Sequence, residues 1–510
     1  MERENPNTHV TQKPSQSLEN GNSPSNGFPS EIFIGLVCSV GTEIETVVSA
    51  LKERFSLFDY HTEEIRISKH IIEEINGKEN TNDKYKRINN LMTIGNKFRE
   101  QSKCNYILSL GAIKKINQIR NEKFTSKTLY IINSIKHPEE AHKLKEVYGQ
   151  GFYLFGIFSD EKTRLENLNK NKGISKDNSS NLIKRDENED DGHGQHTRDT
   201  YHLSDFFIKH DGKNNKRLKN DIKRIVELLF GNPFITPTFD EFAMYMAFSS
   251  ALRSADLSRQ VGAVIAKNDL IVSTGANDVP KYGGGLYWPY YNNDGEIVDF
   301  PNGRDYKRGF DSNAEQKNDI IEGILAKVSK RNKGKLREIL KESKIKDITE
   351  YGRVVHAEME AIISCARNNT SPVGASIYCT TFPCHNCAKH IIASGINRVV
   401  YIEPYPKSKA LQFHDESATT NIPHQERDDI KLVIFEPFIG IGPRVFFELF
   451  SLTNYSGSSL IRKGKDGNII KWSERNSNLR HKSATVSYFE NEQASINLFG
   501  DLIGVKNEDK

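Results

Sequence analysis

The sequence predicts an α/β protein built from two folded units, and three observations carry that reading. Short apolar runs between residues 30 and 160 alternate with polar, helix-like stretches, the pattern of a parallel sheet with crossover helices. Near Thr238 a new apolar helix begins, followed by two strands across a turn. Finally, 510 residues exceed what one ordinary core encloses, and a hydrophobic share of only 36% means that polar segments dilute the folded parts.

Residues 1–29 are rich in Asn, Ser, Pro and Gln, a composition that cannot offset its ordering entropy, and they are read as a disordered tail. The texture then changes to EIFIGLVCSVGTEIETVVSALKERF. Here Ile32 to Val37 read as a buried strand, a Gly-containing turn follows, and Ile44, Val47, Val48 and Leu51 recur at helical spacing. Further apolar runs at 106–113, 129–135 and 152–159 fit additional strands, with HPEEAHKLKEVYG as a helix between the last two. These elements form a first unit over 30–168. Residues 169–200 are so polar and charged that they are expected to be a mobile lid or linker, and 201–235 complete the first unit and connect it onward.

The second unit is expected over 236–455. FDEFAMYMAFSSALRSAD is its first helix and VGAVIAKNDLIVSTGAND its first two strands. Residues 279–350 read as an insertion, with a Gly-rich aromatic loop at Gly283 to Trp288 and a helix around IIEGILAKVSK. Helix, strand, helix, strand and helix then run from Val354 to Phe450, and 456–510 form a C-terminal extension without internal repeats.

With 71 Lys+Arg against 67 Asp+Glu, the net charge of +4 lacks the strongly basic signature of a dedicated nucleic-acid binder. No stretch approaches the roughly 20 apolar residues that span a bilayer, and the first residues lack a signal peptide's apolar core. The expectation is a cytoplasmic protein with no membrane partner. The six cysteines are too sparse for a disulfide scaffold, and Cys38 and Cys104 sit in or beside apolar runs, where packing explains them.

Only Cys384 and Cys387 stand at metal-ligand spacing, and they complete a larger set. His356-Ala357-Glu358 is followed by Pro383-Cys384-His385-Asn386-Cys387, the H-x-E and P-C-x-x-C pattern of zinc-dependent base deaminases. One His and two Cys supply three ligands for Zn²⁺ and leave the fourth position open to reactive water. VVHAEMEAIISCARNN and CHNCAKHIIASG read as helices whose first turns carry the ligands, and a helix N-terminus favours the thiolate form. Glu358, not itself a ligand, is the expected catalytic proton shuttle. A structural zinc knuckle normally completes four ligands; His385, between the cysteines, is the one spare donor.

Beyond the ligands, RSADLSRQVGAVI (253–265), VVHAEMEAI (354–362), TTFPCHNCAKHIIASGINRVVY (380–401) and EPYPKSKA resemble the deoxycytidylate deaminase family. The resemblance covers roughly residues 238–455. It implies an α/β/α cytidine-deaminase-like domain, free deoxycytidine nucleotides as substrates, and a homo-oligomer. It also implies substrate contacts: Asn277 toward the sugar, with the turn position an equally ordinary reason for an Asn. Arg253, Arg259, Lys407 and Lys409 are candidate phosphate partners or else solvated surface charges. Tyr287 and Trp288 either stack on the base or pack in the fold.

The long first unit is a departure from ordinary deoxycytidylate deaminases. LYIINSIKHPEE, VYGQGFYLFGIFSDEKTR and GQHTRDTYHLSDFFI resemble the N-terminal half of bacterial anti-phage dCTP deaminases, in which a P-loop kinase-like α/β domain precedes the deaminase. That resemblance implies dCTP depletion as an antiviral defence. Gly35-Leu36-Val37-Cys38-Ser39-Val40-Gly41-Thr42 stands where a phosphate loop would, but its glycines are one residue too far apart and no Lys precedes Thr42. Gly35, Ser39, Gly41 and Thr42 are therefore candidates for binding a nucleotide effector rather than for phosphoryl transfer. Two other functions compete with free-nucleotide deamination: polynucleotide cytidine deamination on single strands, and a regulatory nucleotide-binding role. A regulatory RNA or protein partner is a further expectation, motivated by the extra N-terminal unit.

Overall fold

The structure is a computed structural model. It describes residues 30–508 apart from 79–80, 124, 188, 190–191, 213–214, 330–331, 404–407, 421–431, 454–458, 478 and 481–484. The expected tail at 1–29 and the candidate Lys407 lie outside the described residues.

The first sheet is built from β1 (Ser30–Cys38), β2 (His61–Arg66), β3 (Lys127–Asn133), β4 (Phe152–Phe158) and β5 (Phe206–Lys209). They lie in the order β2-β3-β1-β4-β5 and all pair in parallel. β1 is central and buried on both faces, which is why residues 32–38 form a continuous apolar run without alternation. One expectation fails here: residues 106–113 are not a strand but the start of the Ile107–Glu122 helix. Every residue from Ile107 to Ile113 is buried, because this helix is sandwiched between the sheet and the Thr485–Glu508 helix. A helix covered on both sides loses its polar face, and with it the 3.6-residue signature.

Residues 169–200 also depart from the expected mobile loop. They hold a Lys176–Glu187 helix and a short Thr197–Tyr201 helix, and Leu168, Ile174, Leu182 and Ile183 form a small core with Val40 and Met92. Ile174, Leu182 and Ile183, with Leu168 just before the stretch, are enough to pack it against the loop after β1 and the Lys84–Ser102 helix.

The second sheet contains β6 (Gly262–Lys267), β7 (Leu270–Ala276), β10 (Ser376–Thr381), β11 (Arg398–Glu403), β12 (Ala418–Thr420) and β13 (Val433–Pro437). Its order is β12-β13-β11-β10-β6-β7, parallel from β12 to β10 and antiparallel across β10-β6-β7. The Phe239–Ala251 helix covers one face, burying Ala243, Met244 and Ala247 against Val264 and Tyr378. The Ala357–Arg367 and His385–Ala393 helices cover the other, where Ala357, Ala361 and Ala388 meet Ala263, Ile265 and Cys379. Two strand glycines allow these approaches: a Cβ on Gly262 would stand 1.9 Å from Ala247 O, and one on Gly275 would stand 2.1 Å from Ala357 O. The 279–350 insertion carries the β8 (Tyr290–Tyr291) and β9 (Ile297–Val298) hairpin and the Ser312–Ala326 and Lys333–Glu342 helices.

The chain after β13 returns to the first sheet. β14 (Gly440–Ile441) adds antiparallel to β5, and the Thr485–Glu508 helix buries Tyr488 and Phe499 in the same cluster as Phe33 and Ile132. Arg120 locks that helix down, with a bidentate pair to Glu31 and a second to Glu492, all buried. Glu241 joins the two sheets by accepting from Arg224, Thr238 N and Ile441 N.

Candidate metal centre

Two helix starts meet on one face of the second sheet, the second of them just after the interior strand β10. His356 is the N-cap of the Ala357–Arg367 helix, and Cys384 is the N-cap of the His385–Ala393 helix, its sulfur accepting from Cys387 N. The contact of Gly275 with Ala357 O fixes how deeply the first helix sits. Val355 N donates to Asp278 O at 3.0 Å, so the residue before His356 is hydrogen-bonded to the turn after β7.

His356 Nδ1 lies 3.3 Å from Cys387 Sγ and 3.4 Å from Cys384 Sγ, and all three donor atoms lie within 4.8 Å of one another. Tetrahedral zinc with N and S bonds of about 2.0–2.3 Å sets such donors about 3.6 Å apart, so the spacing fits one ion. The donor set fits too: three protein ligands leave a fourth position for water. His385 is not part of the group; its ring meets Phe413 edge-on at 6.0 Å.

The electrostatics around the donors are uneven. A hydrogen bond from Cys387, helped by His356, pulls the Cys384 thiol down to about 4, so it is a thiolate. Its hydrogen bond to Cys384 pushes His356 up to about 9 against the opposing effect of burial. Hydrogen bonding to Cys384, with burial, drives the Cys387 thiol well above its ordinary value. To hold a cation, His356 Nδ1 and Cys387 Sγ would have to give up their protons. Glu358 is 4% exposed, and desolvation raises its carboxyl above the ordinary range although the neighbouring His356 opposes that shift. A carboxyl held this way is suited to shuttling protons near neutrality.

The remaining candidates fall in three places. Asn277 is buried and spends both polar atoms on the neighbouring loop, Nδ2 donating to Arg259 O and Oδ1 accepting from Val261 N. Its position is the turn-holding one rather than an open contact. Arg259 is exposed, with Nη1 3.6 Å from Glu403, whose other oxygen accepts from Thr381. Arg253 donates to Tyr287 O and lies 3.7 Å over the Trp288 ring, while Tyr287 packs on Phe300. Arg253 and Trp288 line a cavity of about 200 Å³ beside Gly275 and Glu360, and none of the three metal donors lines it. Lys409 is exposed, its ammonium 5.5 Å from the Phe413 ring centre.

The loop after β1 is braced by the chain's own groups, and Gly41 and Asn167 line a cavity of about 140 Å³ together with Thr163, Lys170 and His210. Val40 N donates to the fully buried Asp186 carboxylate, which Lys136 meets at 2.8 Å, and Asn167 donates to Gly41 O. Gly41 has φ of +90° and packs against Arg164 O, Ser39 O accepts from Thr42 N, and Thr42 is buried. Gly35 is not in this loop: it lies mid-strand in β1, where a Cβ would meet Ile135 at 2.4 Å and Phe152 at 2.9 Å. Residues that the sequence reading did not single out are Gly275, Asp278 and Glu403; a Gly inside a strand was the one available signal, for close backbone approach.

Comparison with known proteins agrees with this geometry. Residues 237–403 match the cytidine and deoxycytidylate deaminase zinc-binding region. The chain is 33% identical over 168 residues to the deoxycytidylate deaminase of Enterobacteria phage T4, which covers 32% of this chain and 78% of that protein. It is 28% identical over 181 residues to the Homo sapiens deoxycytidylate deaminase, covering 35% and 69%. The solved dCMP deaminase of cyanophage S-TIM5 is 19% identical and spans 40% of this chain and all of that one, with a TM-score of 0.22, too low to bear on the fold. The T4 likeness, at 33% identity over most of that enzyme's length, with the family match over 237–403 that includes His356, Cys384 and Cys387, places this chain in the deoxycytidylate deaminase family.

Proposed function

We propose that this protein hydrolytically deaminates free deoxycytidine nucleotides, dCMP to dUMP and dCTP to dUTP, with Zn²⁺ held by His356, Cys384 and Cys387. The observation that carries the reading is the three-donor cluster with a buried Glu358 beside it, its carboxyl raised above the ordinary range by desolvation. Zinc in such a site supplies the Lewis acidity that makes water nucleophilic at neutral pH. Glu358 would take a proton from the attacking water and deliver it to N3 of cytosine as the water oxygen adds at C4. The second water proton passes to the exocyclic amine, the C4–N bond breaks, and ammonia leaves. Burial raises the Glu358 carboxyl and so makes it a better proton acceptor than an exposed glutamate.

The dCTP activity and its use in depleting a DNA precursor during phage infection are supported by the resemblance of the N-terminal stretches and by the extra sheet fastened to the deaminase sheet through Glu241. A second reading, deamination of single-stranded polynucleotides, draws on one feature: Tyr282, Trp288, Tyr291, Phe300, Tyr306 and Phe310 are exposed on the insertion among Lys281, Lys307 and Arg308. Incubating the purified full-length protein with dCMP, dCTP and a cytosine-containing oligonucleotide, and resolving products by mass, separates them. Conversion of the free nucleotides with the oligonucleotide intact supports the proposal; conversion of the oligonucleotide alone refutes it. Expression in phage-infected cells should lower the dCTP pool, and a Glu358→Ala variant should leave it unchanged.

A further inference from the structure

The 279–350 insertion is tied to the approach to the candidate metal centre by a buried cation. Arg304 is 5% exposed and sits between two buried carboxylates, Asp278 at 1% and Asp299 at 8%. Its Nη1 is 3.2 Å from Asp299 Oδ2, its Nε is 3.4 Å from Asp278 Oδ2, and its Nη2 donates to Tyr287 O at 2.5 Å. The Asp278 contact is an ion pair rather than an aligned hydrogen bond, since neither atom has a hydrogen-bond partner. One guanidinium thus holds three points: the turn after β7, the β8–β9 hairpin region and the aromatic loop.

The first of those points connects to His356. Asp278 O accepts from Val355 N, immediately before the ligand, and the Asp278 side chain accepts from Val279 N. A second arginine ties the same approach strand to the same turn of the insertion: Arg353 donates to Asp305 Oδ1 at 2.6 Å and to Gly303 O at 2.9 Å. Residues 353–355 enter the ligand helix, and His356 has no side-chain cap bond of its own to fix its backbone. Removing Arg304 leaves Asp278 and Asp299 as like charges in a desolvated space, which drives the β7 turn and the insertion apart. The backbone that presents His356 then loses its fixed partner.

We propose that Arg304 is a positioning residue for the metal centre: through Asp278 and Val355 it fixes His356, making the insertion a structural part of the zinc site. The inference rests on the zinc reading of His356, Cys384 and Cys387 above. Groups that orient ligands without touching the metal typically contribute 10–100-fold in metal affinity or activity.

The test uses full-length protein and a chromophoric zinc chelator. Arg304→Gln should weaken zinc binding about 10-fold and lower kcat with little change in KM for dCMP. Arg304→Lys, which keeps a cation between the aspartates but not the three-point fork, should recover part of both losses. Leu325→Ala, in the buried core of the insertion, serves as a control of matched thermal destabilisation. If Leu325→Ala weakens zinc as much as Arg304→Gln does, or if Arg304→Gln binds zinc as wild type does, the proposal is overturned. A wild-type protein that neither retains zinc nor converts dCMP overturns the underlying zinc reading instead, and the wild-type lane alone reveals that case.

Discussion

Replacing Gly275 by Ala puts a methyl group where the backbone of the ligand helix already stands. The added Cβ would lie 2.1 Å from Ala357 O and 2.6 Å from Ala361 N. A carbon and an oxygen in contact need about 3.3 Å, so the Ala357–Arg367 helix must recede by roughly 1 Å, and the core cannot absorb that without loss. The stability cost is about 1–3 kcal/mol. His356 and Glu358 ride on the first turn of that helix, and a displacement of about 1 Å at reacting groups is enough for a loss of about 100-fold in rate. Gly262→Ala is the matched control, because its Cβ would collide just as hard, 1.9 Å from Ala247 O, on the opposite face of the same sheet. Thermal melts and kcat/KM for dCMP on both variants decide the matter. Both should lose stability, and Gly275→Ala alone should lose about 100-fold in kcat. Equal losses of activity in the two variants would refute the argument that Gly275 sets the position of the ligand helix.

Three other outcomes follow from the same geometry. Arg120→Met strands Glu31 and Glu492 as buried, unpaired carboxylates and should cost about 3–5 kcal/mol in urea unfolding; a loss under about 1 kcal/mol would show that the C-terminal helix does not depend on this pair. Between roughly pH 6 and 8 the His356 imidazole and Cys387 thiol carry protons while Cys384 does not, so zinc uptake should release about two protons and its affinity should rise about 100-fold per pH unit. Calorimetry in buffers of different ionisation enthalpy counts those protons, and a count near zero contradicts the assignment. Excess ATP should leave the melting temperature unchanged, since its phosphate would have to expel Asp186 from Val40 N and Lys136; an upward shift would show that the carboxylate yields and that the loop takes nucleotides.

The His356, Cys384 and Cys387 cluster was legible because zinc chemistry asks for particular residue types at two helix starts, and both starts are short, local patterns around His356 and Cys384. The same holds for β1, β3 and β4, whose buried runs leave no ambiguity of period. What escaped was set by partners distant in sequence. The apolar residues from Ile107 to Ile113 resemble a strand until the helix some 375 residues later is known to cover them, as the Asn117–Glu492 contact shows. Leu182 and Ile183 are too few to outweigh their polar neighbours in composition, yet they suffice to pack 169–187 on Val40. Asn277 shows the converse: its place in the motif fits a substrate contact, while its amide is already engaged by Arg259 O and Val261 N.

The most direct test of the central claim is a Glu358→Gln variant compared with wild type for both zinc content and dCMP deamination. Glutamine keeps the shape of the buried side chain and removes the group that moves protons. Zinc should remain at one ion per chain in both proteins, wild type should convert dCMP to dUMP, and the variant should be slower by at least 10²–10⁴-fold, the range for general acid–base catalysis. A variant that deaminates dCMP at the wild-type rate, with its zinc in place, would contradict the account.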